Sequence, residues 1–189
     1  MKNKIVYKLT DKFGRTKDNT QWGENVSHAA KGDGKRLCSD GWIHYYTHPL
    51  IAVLMNPIHA DFTNPKLWEA EASGKIINEA LKSGCKTLTT IKEIPLPEVS
   101  GVQKIAFGIL CAKEVYDDKA WNKWADKWLS GDDRSKETAN AARNDATYYA
   151  VDYAATRAAY ASANAAARAA NANKSINFIA LAEKAMTYK

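Results

Sequence analysis

Long apolar runs are missing from this chain. No stretch approaches the ~18 uninterrupted apolar residues that a membrane helix needs. Met1-Lys2-Asn3-Lys4 leads directly into a strand-like pattern, without the apolar stretch of a secretory leader. The expectation is therefore a cytoplasmic protein of the host cell, with no membrane partner. Cysteine is scarce too. Cys38, Cys85 and Cys111 are the only three among 189 residues, and they form no CxxC pair. An odd, scattered set excludes a disulfide framework and a zinc site, and reads as three reduced, buried small hydrophobes. The four histidines, His28, His44, His48 and His59, lack HxxxH or any comparable spacing, so no metal is expected. Gly32 and Gly34 give GxG alone; without a preceding strand and a third glycine this excludes the dinucleotide fingerprint. No helix-turn-helix, zinc finger or RNA-recognition pattern occurs.

What is present is, first, an uneven charge. The net charge is +6, and residues 1–36 hold nine Lys/Arg against four Asp/Glu, a balance of +5. Such a region attracts nucleotides, nucleic acid or other polyanions. Lys8, Arg15, Lys35 and Arg36 are the candidate contacts of an anionic ligand.

Patterning divides the chain. Ile5-Val6-Tyr7-Lys8-Leu9 reads as a strand. Asp11 to Lys35 is polar and punctuated by glycines, a loop-rich segment with Lys31 to Lys35 as a mobile loop. Gly41 to Tyr46 reads as a second strand. Thr47 is placed to cap a short helix through Leu54, with Pro49 in its first turn and Asn56-Pro57 as its end. Leu67-Trp68-Glu69-Ala70-Glu71-Ala72 alternates cleanly, and Cys85 to Ile94 forms another strand stopped by Pro95 and Pro97. These pieces predict a small, mostly antiparallel sheet over residues 1–98. Residues 99–130 predict two helices packing on that sheet, Ser100 to Val115 and Asp117 to Leu129. The second places Trp121, Trp124 and Trp128 on one face, as core or a docking stripe. The fold class is α+β with a helical C-terminal half.

From Ala139 to Ala172 half of the residues are alanine, and no Gly or Pro interrupts the chain beyond Arg134. Alanine has the best helix propensity, so one long helix is expected from Ser135 to about Asn171, followed by a final helix from Ser175 to Tyr188. Ala142, Ala146, Ala150, Ala154 and Ala158 recur every four residues as a smooth ridge, with Tyr149, Tyr153, Arg157 and Tyr160 as larger neighbours. Such a ridge suits close helix–helix packing, back onto the domain or against another subunit; self-association into a homo-oligomer is the expectation.

Chemistry can concentrate at His44-Tyr45-Tyr46. Alternation puts His44 and Tyr46 on one sheet face and Tyr45 on the other. His44 is a candidate acid or base. Glu69 and Glu71 share a strand face about 7 Å apart, a spacing open to acid–base work.

Two resemblances attach to these segments. Arg36-Leu37-Cys38-Ser39-Asp40-Gly41-Trp42-Ile43-His44, then Leu67 to Gly74, then the alanine-rich tail, resembles an uncharacterised family of phage and bacterial genomes. That likeness implies a phage origin and no particular activity. Gly41-Trp42-Ile43-His44-Tyr45-Tyr46, a short helix, and Leu67-Trp68-Glu69-Ala70-Glu71-Ala72-Ser73-Gly74 resemble consecutive strands of ADP-ribosyltransferases of the poly-ADP-ribose polymerase type. That likeness implies NAD as cofactor, with Tyr45 or Tyr46 stacked on nicotinamide and His44, Tyr46 and Glu71 as catalytic candidates. The first strand departs from the family, carrying Tyr7-Lys8-Leu9 where it has His-Gly.

Three functions stand as expectations. The leading one is a non-enzymatic phage accessory protein without a cofactor, self-associating through its alanine helix and binding a nucleotide-type ligand, nucleic acid or host factor in counter-defence. The others are an NAD-using transferase and a virion structural protein.

Overall fold

Ile5 to Thr10 forms strand β1, one residue longer than its alternation predicts, because Thr10 pairs with Lys66 across the sheet. The computed structural model describes residues 5–135, 155–173 and 175–189, and falls into two compact units that meet in sequence at Glu98 and Val99.

The first unit continues with two very short strands, β2 (Arg15–Thr16) and β3 (Thr20–Gln21), which pair only with each other. Strand β4 (Val26–Ala29) and strand β5 (Ile43–Tyr45) both pair with β7 (Ser83–Ile94), and β6 (Lys66–Asn78) lies between β7 and β1. Every pairing is antiparallel. The stretch from Asp11 to Lys35 is thus more ordered than its composition suggests. Val26 to Ala29 becomes a strand because β7 offers it a free edge, a tertiary circumstance that local polarity does not encode.

The sheet curls on itself. Just beyond β5, Tyr46 exchanges two backbone hydrogen bonds with Tyr7 of β1, each 2.8 Å long, so the two outer edges meet at one pair. Curvature is placed in the long β6–β7 hairpin, whose register slips between Glu69 and Ala70 and again between Ser73 and Ile76. Gly74 sits in the second slip at φ 75°, where an added Cβ would lie 3.0 Å from the Lys86 Cβ. Inside the curl, Val6, Trp22, Tyr45, Ala70, Cys85 and Leu88 form one buried cluster.

Helix α1 (Pro49–His59) packs against β1 and buries Ile51, Ala52, Leu54 and Met55. Its cap is His48 rather than Thr47: the His48 Nδ1 accepts from the Leu50 amide, and Pro49 occupies the first turn. Pro57 does not end the helix. A proline so near the C-terminus removes a single hydrogen bond, and the chain closes afterwards as Ala60 and Asp61 both donate to the Asn56 carbonyl.

The second unit is helical. Helix α2 (Gly101–Lys113) opens with a complete capping box between Ser100 and Gln103. Helix α3 (Lys119–Ser130) opens on Asp118, which accepts from the Trp121 amide, and closes on Gly131 in the left-handed conformation at φ 87°. Helix α4 (Ala155–Ala172) and helix α5 (Phe178–Ala185) both pack against α2. Ala163, Ala166 and Ala169 of α4 have no exposed surface, so small side chains let this helix approach its neighbours within the chain. Ser135 lies outside the helical region and donates its amide to Asp133. The final helix starts three residues later than its composition suggests, because Asn177 accepts from the Ala180 amide and fixes the first turn there.

Candidate functional site

His44 and Tyr46 do share a face, with Tyr45 turned into the core on the other. Both are committed to partners. His44 Nε2 faces the Leu37 carbonyl and must carry the proton, since a carbonyl only accepts. The Tyr46 hydroxyl and His59 Nδ1 share a hydrogen bond of 3.3 Å, and the two rings stack with centroids 5.8 Å apart. Burial pushes the His44 imidazole below the ordinary histidine range, with Lys82 and Lys8 adding to it against the opposing Leu37 carbonyl and Glu79. Burial lowers His59 more strongly, to about 4, reinforced by Lys82 and His44. Tyr46 is raised by burial. The cluster is therefore two neutral imidazoles and a neutral phenol near pH 7.

Glu71 lies on β6, the strand that β1 separates from Tyr46. Glu71 stands opposite Ile5 and Thr89, whereas His44 stands opposite Gly84, whose partner on β6 is Ile77. Six residues of β6 separate Glu71 from Ile77, roughly 20 Å of strand. Glu69 is held at 3.4 Å by Lys92. Counted along β7, His44 is remote from Glu71, whereas across the β1 seam Tyr7 pairs with both Tyr46 and Glu69, two strands apart.

Lys8 is 8% exposed and turned inward. Its ammonium donates to the His44 carbonyl over 2.8 Å and sits 5.0 Å from the Trp22 ring centroid. Burial lowers its pKa to about 8. Of the six ligand candidates, Lys8, Tyr45 and Tyr46 are buried, while Arg15, Lys35 and Arg36 are exposed. Among the described residues no ion pair engages these three, and Lys12, Lys17 and Lys31 are exposed in the same unit.

The loop carrying Lys35 and Arg36 is fixed from below. Lys86 Nζ donates to the Gly41 carbonyl at 2.7 Å and the Gly32 carbonyl at 3.4 Å, and lies 4.8 Å from the Trp42 ring centroid. A Cβ on Gly41 would fall 2.2 Å from the Gly34 oxygen, so only glycine admits this approach. Cys38 on the same loop is exposed, unlike the other two cysteines, and its sulfur accepts from Lys82 Nζ at 2.9 Å. Burial raises the thiol of Cys85 to about 11 and that of Cys111 well above its usual value, so neither is a nucleophile near neutrality.

In the second unit Trp121, Trp124 and Trp128 are all buried, so the stripe is core. An open groove of about 1000 Å³ runs beside α3. Lys113, Lys119, Lys123 and Lys127 line it together with Glu114, Asp117, Asp126 and Asp132, so it carries no net charge to select a polyanion. Of the expected self-association residues, Ala142, Ala146, Tyr149, Ala150, Tyr153 and Ala154 lie outside the described residues. Arg157, Ala158 and Tyr160 fall on the α4 backbone, with their side chains outside the described part. Among the described residues no three His, Cys, Asp or Glu side chains gather as metal ligands, and no helix is long and apolar enough to cross a membrane.

Comparison with protein-family models, with curated proteins and with solved structures gave no match. Function has to be read from the residues themselves.

Three residues escaped the sequence reading. His59 arrives beside Tyr46 only because α1 continues past Pro57. Lys82 joins by the turn between β6 and β7. Phe13 stands 63% exposed at the turn before β2, and a lone aromatic between Lys12 and Arg15 in a polar stretch was its available signal.

Proposed function

We propose that this protein is a non-enzymatic accessory protein that binds an anionic partner through the exposed cations of its first unit and self-associates through its alanine-rich helix. One observation carries the binding half. The side chains able to do chemistry, His44, Tyr46 and His59, are spent on one another and on the Leu37 carbonyl, while Arg15, Lys35 and Arg36 project from anchored backbone. Exposed cations without acidic partners in a rigid frame favour a polyanion over a small neutral substrate. The alanine composition supports the self-association half, since small residues allow close backbone approach. From the phage likeness, the setting we assign is the cytoplasm of an infected cell, where such a binder of nucleotide signals, nucleic acid or a host factor would serve counter-defence.

The test is titration of heparin, a generic polyanion, at several salt concentrations, with the oligomeric state read by sedimentation velocity. Affinity should fall steeply with salt, and the Arg15→Ala/Lys35→Ala/Arg36→Ala variant should weaken binding and flatten that slope, by up to about one for each cation that meets a charge. Absent or salt-independent binding would overturn the first half, and a monomer at all concentrations the second.

A further inference from the structure

The turn from β1 into β2 holds an aromatic side chain out in solvent by design of its backbone. Phe13 is 63% exposed, the most exposed of the large hydrophobics among the described residues. Exposure of this kind usually accompanies a loose loop, yet this turn is tied at every step. The Asp11 carboxylate accepts from the amides of Phe13 and Arg15, at 2.8 and 2.7 Å. The Asp11 amide donates to the Arg15 carbonyl, and the Gly14 amide donates to the Asp11 carbonyl. Gln21 Nε2 donates to the Phe13 and Trp22 carbonyls, both at 3.0 Å. Gly14 takes φ 77°, and a Cβ there would meet the Trp22 carbonyl oxygen at 2.9 Å. Trp22 itself is buried in the core, so the turn is bolted to the sheet.

Cations flank the ring. Lys12 Nζ lies 5.0 Å and Arg15 Cζ 5.9 Å from the Phe13 centroid. Lys17 is exposed two residues beyond Arg15. The Asp11 carboxylate is held by backbone amides, so with Asp18 two acids stand against the three cations of the turn, and only Asp18 is exposed. An exposed π-face ringed by positive charge has the chemistry of a base-stacking platform. A base can replace a flanking cation on the ring, and the displaced ammonium or guanidinium then reaches the phosphate on either side.

We infer that Phe13, with Lys12, Arg15 and Lys17, is a stacking site for an unpaired base of single-stranded nucleic acid. The inference rests on the anionic-partner reading and narrows it. Duplex is disfavoured because its bases are already stacked and its phosphates alone would make no use of Phe13. Stacking is tolerant of base identity, so the site should show little sequence preference.

The test is fluorescence anisotropy with a labelled twelve-nucleotide oligothymidine, an abasic oligomer of equal length, and the matching duplex. The expected result is tighter binding of the oligothymidine than of either alternative. Phe13→Ala should lower that affinity about tenfold, Phe13→Trp should restore it, and the abasic oligomer should not notice Phe13→Ala. Phe13 is exposed, so all three proteins should share one circular dichroism spectrum and melting temperature. Equal affinity of wild type and Phe13→Ala for oligothymidine would overturn the site, as would equal binding of the abasic oligomer. Phe13-dependent binding to vesicles of phosphatidylserine and phosphatidylcholine, with no such dependence for oligothymidine, would overturn it in favour of a membrane surface. Heparin bound without any oligonucleotide binding would sink this site alone; loss of both would sink the anionic-partner reading with it.

Discussion

Lys8 on β1 donates its ammonium to the main-chain carbonyl of His44, 2.8 Å away, at the place where the curled sheet closes on itself. The same ammonium lies over Trp22. A cation in so enclosed a position costs stability. Burial lowers its pKa from 10.5 to about 8, a gap that corresponds to about 3 kcal/mol as an order of magnitude. The sign follows from proton counting. Below pH 8 both folded and unfolded chains carry the charge, and the penalty is fully present. Between pH 8 and 10.5 the unfolded chain binds more protons than the folded one, so stability rises with pH.

Urea unfolding at pH 7.5 and pH 10 should therefore show wild type gaining about 2 kcal/mol more than Lys8→Met over that interval. Methionine keeps the length of the stem without the charge. Parallel pH curves for the two proteins would show that Lys8 is not buried as a cation.

His59 gives the complementary acid-side prediction. Its ring stacks on Tyr46 with Nδ1 3.3 Å from the hydroxyl, and burial first, then Lys82 and His44, holds its pKa at about 4. In an unfolded chain it would titrate near 6.5. Between those values the unfolded state binds the extra proton, so stability falls as pH drops from 6.5 toward 4. A proton NMR titration should place the His59 midpoint more than one pH unit below that of exposed histidine, and His59→Gln should remove part of the acid sensitivity. A midpoint near 6.5 would contradict the enclosed Tyr46–His59 pair.

Particular residues show how far the sequence could be read. Glu69 and Glu71 alternate with Ala70 and Ala72, and that period of two was enough to place β6. Helical spacing from Ser100 onward was enough to place α2, which begins at Gly101. The failures are all tertiary. Val26 to Ala29 carries no strong strand signal and became β4 because β7 had an edge to fill. Pro57 looked like a stop, but the cost of proline depends on how many turns follow it, and here almost none do. Lys8 looked like a surface cation because alternation says which side a residue faces, not whether that side is closed over by Trp22. The same blindness hid His59 and Lys82, which reach Tyr46 and His44 through a helix end and a hairpin turn. Arg15, Lys35 and Arg36 were legible as exposed cations because exposure is the default for a charge.

Gly41 tests whether the loop bearing Lys35 and Arg36 is held as tightly as it looks. Its added Cβ would meet the Gly34 oxygen at 2.2 Å and the Gly34 nitrogen at 2.7 Å, backbone atoms that cannot rotate away. Gly41→Ala should destabilise the protein by about 2–3 kcal/mol and weaken heparin binding, because the loop must shift off Lys86. Gly101 is the control, with nothing within 4 Å of its added Cβ. Gly101→Ala should be neutral or stabilising by a few tenths of a kcal/mol. Urea midpoints of the two variants give the comparison directly.

The tryptophan stripe of α3 separates packing from hydrogen bonding. Trp124 is 7% exposed, its ring centroid lies 5.9 Å from that of Trp121, and its indole nitrogen has no hydrogen-bond partner among the described residues. A buried donor without a partner contributes nothing favourable, so the side chain stabilises through area alone. Trp124→Ala should cost about 3–5 kcal/mol, the usual range for emptying an aromatic site. Trp124→Phe keeps most of the contact and discards the unpartnered N–H, and should cost about 1 kcal/mol or less. Lys123→Ala, one residue away on the exposed side, should lie within about 0.5 kcal/mol of wild type. If Trp124→Phe proved nearly as damaging as Trp124→Ala, the indole would have to be donating to an acceptor that completes this face.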